Sequence, residues 1–240
     1  MSTMDYQPRI PGLHIDPTME DIILSRQIYN GLPSDGDQPD IEEHMNGLAE
    51  LFVKYQADKV FGIHLAHGHF AIKDHTVLVG NKPPGGGRWT VPTAIDSDPT
   101  NIHGHVFILT DTGFHPYEYQ AGCLPDLASV DLKFLPALAN FIDRNGLRNV
   151  VALEVLDAPH TDMMEIVFLN ATLMINPSRL QNVTTVRQTG WAFTAENGNA
   201  RVRQDGKEHH AAGPKGGHVY VTTPRDYLEA LDLLNNEHDC

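Results

Sequence analysis

The sequence predicts a single α+β domain, a mostly antiparallel sheet with flanking helices, in which barrel-like closure is an option. Two observations carry this. Strand-like segments outnumber helical ones between residues 59 and 223. They also do not alternate regularly with helices as a doubly wound parallel sheet requires. No composition shift marks a boundary, so residues 1–240 read as one domain, long enough to bury a sizeable core.

Residues 1–17, polar and broken by prolines, predict an irregular arm. Thr18 followed by MEDIILSRQIYN and Gly31 predicts a short helix with Ile22, Ile23 and Ile28 inward. The segment LPSDGDQPD is a loop by its Pro, Gly and Asp content. Asp40 then caps a helix to about Ala57, whose Ile41, Met45, Leu48, Leu51, Phe52 and Tyr55 recur at helical spacing.

Strand character begins at Val60. Val60–Phe70 and Thr76–Val79 read as strands around a Lys73-Asp74 turn, and LVGNKPPGGGRWTVPT as a loop because of its paired prolines and triple glycine. That loop lacks the lysine, hydroxyl and following helix of a phosphate-cradling motif. Val106–Thr110 and Phe114–Tyr119 predict a hairpin around Asp111-Thr112-Gly113. Asp131–Asn145 predicts a helix stopped by Gly146. Arg148–Leu156, Glu165–Ile175, Val183–Thr194 and Ala200–Gln204 read as strands. KEHHAAGPKGGH reads as a solvated basic loop whose Lys207, His209, His210, Lys215 and His218 could attract an anion. A strand HVYVTT follows, and residues 225–236 close the chain as a helix with Tyr227, Leu228, Leu231 and Leu234 inward.

Composition narrows the function classes. A formal charge of −14, from 31 acidic against 17 basic residues, disfavours nucleic acid and anionic membrane surfaces as partners. No secretory leader and no apolar run of spanning length is visible, and two cysteines, Cys123 and Cys240, do not make a disulfide framework; a cytoplasmic location is expected.

The chemical signal is histidine, 14 in all. His67-Gly-His69 and His103-Gly-His105 each place two imidazoles two residues apart, which on a strand puts both on one face. Two histidines and a carboxylate make an open site for a divalent transition metal, iron or zinc. His67 and His69 are the leading ligands, and His103 and His105 are the alternatives. Glu118 or Glu165 is the third ligand or the general base. His115 is a catalytic candidate through a Cys–His pair with Cys123. Against this stands the ordinary role of strand histidines, which satisfy core hydrogen bonds or face solvent. The predicted activity is that of a metal-dependent enzyme on a small organic molecule, inclined to iron-type redox chemistry. Zinc-type hydrolysis or lyase chemistry, a metal-free binding pocket and histidines at a homo-oligomer interface are the other readings.

Two resemblances bear on these residues. His67-Gly-His69, Asp74 and Gly80 resemble the first cupin motif, with spacings one residue off and Asp for the usual Glu. LAHGHF (Leu65–Phe70), PYEY (Pro116–Tyr119) and WAF (Trp191–Phe193) together resemble a group of uncharacterised fungal proteins over roughly residues 60–194. That resemblance implies a fungal source and points to His67, His69 and Glu118.

Overall fold

The computed structural model describes residues 9–96, 99–157, 161–180, 183–212 and 219–236. Four helices and thirteen strands are formed among them. Helix α1 (Met19–Asn30) begins in a capping box. The Thr18 hydroxyl accepts the Asp21 N–H, and the Asp21 carboxylate accepts the Thr18 N–H at 2.8 Å. Its buried stripe is Ile22, Ser25 and Tyr29, spaced three and four apart. Ile23, expected inward, is 42% exposed. The expected Asp40-capped helix is split into a 3-10 turn (Glu42–His44) and α2 (Met45–Lys54), with the Asp40 carboxylate accepting the Glu42 N–H.

The expected long strand Val60–Phe70 ends early. β1 is Phe61–Leu65, and His67 and His69 lie in the loop that follows it. β2 (Thr76–Asn81) and β3 (Arg88–Ala94) form a hairpin across the glycine triplet, so RWTVPT, expected as loop, is strand. Pro92 is tolerated there because β8 pairs with β3 only at Arg88–Thr90, leaving the proline without a required donor on that edge. β4 (Ile102–Thr110) and β5 (Gly113–Ala121) make the expected hairpin, longer at both ends and irregular between Gly104 and Phe107. After α3 (Phe134–Arg144) comes β6 (Val151–Val155). The expected strand Glu165–Ile175 is a hairpin, β7 (Met163–Phe168) and β8 (Thr172–Ile175). β9 (Thr184–Trp191), the small β10–β11 hairpin (Phe193–Glu196, Asn199–Val202), β12 (Glu208–Ala212), β13 (Val219–Tyr220) and α4 (Tyr227–Asn236) complete the chain. Thus EHHAA, expected as solvated loop, is a strand with His210 and Ala211 wholly buried. In α4 the inward residues are Tyr227, Ala230 and Leu234, whereas Leu228 is 71% exposed.

Ten strands close in the order β12-β9-β1-β6-β4-β5-β2-β3-β8-β7, with β7 returning to β12. The barrel is mixed rather than plainly antiparallel, because β2–β5 and the closing β7–β12 pair are parallel. The helices cover its outside. Phe61, Ile63, Leu65, Leu153 and Phe107 pack with Leu48 and Phe52 of α2 and Phe134 and Leu138 of α3. Met164, Ile166 and Phe168 pack with Tyr227, Ala230 and Leu234 of α4. Alternate residues on these strands therefore face the lumen: His64, Glu154, Glu165, Glu208 and His210. The apolar core lies between barrel and helices, and the lumen holds the charge.

No helix among the described residues is long and apolar enough to cross a membrane.

Candidate metal centre

His67 and His69 are brought to the lumen by a pinned loop rather than a strand. The Ala66 N–H donates to Val150 O at 2.9 Å, and the Gly68 N–H to Pro33 O at 2.9 Å. The Tyr29 hydroxyl accepts the His69 N–H at 3.2 Å, and the Asn30 side chain brackets both backbone groups of Ile72 at 2.9 Å. Helix α1 thus holds the loop against the barrel through its last turn.

The other two members come from the seam. The parallel β7–β12 pairing sets His210 opposite Glu165, so both side chains enter the lumen at one level. His210 Nε2 lies 2.9 Å from Glu165 Oε2 and 3.0 Å from His67 Nε2. His69 Nε2 lies 3.2 Å from Glu165 Oε1, and His67 Nε2 3.8 Å from Glu165 Oε2. The four ligand atoms all fall within 4.8 Å of one another. A metal with bonds of ~2.0–2.1 Å spaces neighbouring ligand atoms by roughly 3.0–3.4 Å, so these separations bracket what one ion needs.

The protonation states suit an ion. A carbonyl only accepts, so the 2.7 Å contact of His67 Nδ1 with Leu65 O places the ring proton on Nδ1 and turns a bare Nε2 lone pair to the cluster. Burial lowers the His67 pKa, and the imidazole stays neutral near pH 7. Burial alone would raise Glu165, but His69, His210 and His67 outweigh it and hold the carboxyl well below its ordinary range. The ionised carboxylate and the bare Nε2 of His67 are the forms in which such groups ligate.

The remaining candidates are placed elsewhere. Glu118, partly buried, is pushed up to about 7 by burial and by the nearby Glu165 charge. It is not one of the four clustered residues. His105 does not join the four: its Nε2 lies 3.1 Å from Glu154 Oε1 but is misaligned for a hydrogen bond, and burial pushes its pKa down to about 3. His103 lies near Gly122, its ring 3.8 Å from where a Cβ on that glycine would stand. The irregular register at Gly104–Phe107 breaks the simple alternation that the His-Gly-His spacing assumed on β4. His115 packs against α1, its Nε2 3.3 Å from Ser25 Oγ and 3.2 Å from Asp21 O, so it serves the helix–barrel joint. Cys123 is exposed, and Cys240, His160, Lys215 and His218 lie outside the described residues.

The member of the cluster missed in the sequence is His210. EHHAA has neither a turn signal nor a clean period of two, and its glycine-rich surroundings read as loop. The adjacent Ala211-Ala212 was the one hint of burial.

No family model matches the chain, and neither a curated protein nor a solved structure does so.

Proposed function

We propose that the protein is a metal-dependent enzyme acting on a small organic molecule, with His67, His69, His210 and Glu165 holding one divalent transition-metal ion. The observation that supports it is the convergence of four ligand atoms from three distant segments in a buried lumen, with the His67 tautomer set by Leu65 O. Bound there, the ion supplies a Lewis-acid or redox centre. Four protein ligands fill a tetrahedral zinc site, whereas a six-coordinate ion keeps two positions open. That difference inclines the reading to iron and to oxidoreductase chemistry. The chain's own contribution is to keep Glu165 ionised, to hold the imidazole rings apart from solvent, and to offer Glu118 as the group that takes or returns a proton near neutrality.

A second reading has one specific support. Without an ion, a proton on His210 Nε2 satisfies Glu165 at 2.9 Å and His69 reaches it at 3.2 Å, so the cluster is also self-consistent as a polar pocket. Elemental analysis separates the two. Near-stoichiometric iron is expected in the tag-free protein, with affinity lowered by more than roughly 100-fold in a folded His210→Ala variant, a larger loss than outer-layer changes give. Absence of any transition metal after anaerobic reconstitution would sink the enzyme reading and leave the metal-free pocket.

A further inference from the structure

A cavity of about 250 Å³ opens where the β2–β3 turn, the segment after β6 and the start of β12 meet. Its volume is below the ~300–1,000 Å³ of pockets for drug-sized ligands, so its occupant is small. Two strands run from it to the His/Glu cluster. Met163 and Glu208 line the cavity as register partners on β7 and β12. The next partners on the same face of those strands are Glu165 and His210. Two residues along a strand span roughly 7 Å, so the cavity stands one layer of side chains from the cluster.

Its wall is apolar. Leu156, Met163, Met174 and Trp191 line it, two polarisable thioethers and an indole among four side chains. Thioethers pack favourably on aromatic rings, and an indole offers a face for offset stacking. Leu156 lies across Gly62, where a Cβ would stand 2.7 Å from its Cδ2, so the absent side chain is what seats this part of the wall.

The charges around the cavity are spent within the protein. Lys82 Nζ is 3.0 Å from Asp157 Oδ1, and Arg88 Nη1 donates to Asp157 Oδ2 at 3.3 Å. Glu154 and Glu208 complete the surroundings of the Arg88 guanidinium. Arg179 Nη1 donates to the Gly85 and Gly86 carbonyls, and its guanidinium lies 5.8 Å from the centre of the Tyr227 ring. Among the described lining residues, Lys82, Arg88 and Arg179 face Glu154, Asp157 and Glu208, so neither sign is in surplus. An ion entering here would give up its water without meeting an unspent counter-charge.

We infer that this cavity binds a small, uncharged aromatic molecule against Met163, Met174 and Trp191, and that these three side chains set which substrate reaches the neighbouring cluster. As a statement about substrate this rests on the metal-dependent reading above; as a binding site it does not.

The test is calorimetry at pH 7 against the protein as purified. The probes are benzamide, its anionic and cationic counterparts benzoate and benzylamine, and the saturated cyclohexanecarboxamide. Benzamide is expected to bind. Benzoate and benzylamine should each bind at least roughly tenfold more weakly, because each brings a charge that stays unpaired. Cyclohexanecarboxamide should bind about threefold more weakly, having lost the ring contacts. Leu156→Trp, which fills the cavity, should remove benzamide binding; should it not fold, Met163→Trp fills the same space from β7. The chain has two tryptophans, so in a Trp89→Phe variant the remaining emission is that of Trp191, and saturating benzamide should change it. No benzamide binding to the folded parent, equal affinity for either ion or for the saturated amide, unchanged affinity in the filled variant that folds, or unchanged Trp191 emission would each overturn the assignment. Metal content is measured on the same samples. Benzamide binding without metal removes only the metal-dependent reading, and metal without benzamide binding removes only this site.

Discussion

At the scale of single residues, the lumen works by cancelling charges that water cannot reach. Arg88 sits among Asp157, Glu154 and Glu208, and burial alone would depress it, yet those carboxylates hold its pKa above the ordinary arginine value. Asp157 is the reciprocal case. Burial would raise it, but Arg88, with His105, Gln120 and Lys82, brings it well below the usual carboxylate range. A carboxyl depressed in the folded state stabilises the fold above its unfolded pKa, and that contribution disappears as pH falls through the lower folded value. Asp157→Asn should therefore cost about 1–2 kcal/mol at pH 7, an allowance discounted because the side chain is 34% exposed and partly screened. The gap between variant and parent should narrow as pH falls below about 4, where the unfolded carboxyl takes up a proton while the folded one is still charged. Denaturant titrations at pH 7 and pH 3 check this. A gap that widens in acid would show that Asp157 is not held as an anion.

At the scale of elements, the β2–β3 turn decides whether β3 can reach β8. Gly85, Gly86 and Gly87 have φ of +92°, +85° and +94°, a region that residues with a Cβ rarely adopt. Their surroundings differ. A Cβ at Gly86 meets nothing, while one at Gly87 would run into the Met174 carbonyl on β8. Gly86→Ala should cost only the backbone term, about 1–2 kcal/mol. Gly87→Ala should cost about 2 kcal/mol more, since the Arg88↔Met174 pairing must also shift. Equal midpoint shifts in urea would refute the packing argument. The same turn shows why element reading failed here: two prolines and three glycines punctuate so strongly that the strand beginning at Arg88 was hidden. Helices were more legible. Thr18, Gly31 and Gly146 mark real ends, and the apolar spacing of α2 marks its real face, because capping and burial act within a few residues. In α1 the spacing picked Ile23 in place of Ser25, since only the barrel surface, with His115 and Tyr119, explains an inward serine.

At the scale of the molecule, the His/Glu cluster sits at the seam that closes the barrel. Glu165 and His210 belong to the two strands whose parallel pairing completes the circle, and His67 and His69 lie on the loop held by α1. An ion bound only by the closed form adds RT ln(1 + [L]/Kd), about 2.7 kcal/mol at a hundredfold excess over Kd. For a chain of this size that corresponds to a Tm rise of roughly 5–10 °C. Chelation should reverse it and speed amide exchange at His209, His210 and Glu165, leaving α2 and α3 protected. Uniform exchange across the molecule, or no change, would separate the centre from the closure.

Local chemistry alone determined the helix ends, the strand-rich middle and the His67-Gly-His69 pair as the place to look, because each depends on neighbours within a turn or a strand. Only the tertiary structure decided that the pair sits on a loop, that Glu165 rather than Glu118 stands among the histidines, that His103 and His105 stand apart, and that His210 completes the set. The reason is distance along the chain. His67 and His210 are 143 positions apart and Glu165 and His210 are 45 apart, and what joins them is the register of one parallel seam in a closed barrel. Strand pairing over such separations leaves no mark in the spacing of either segment.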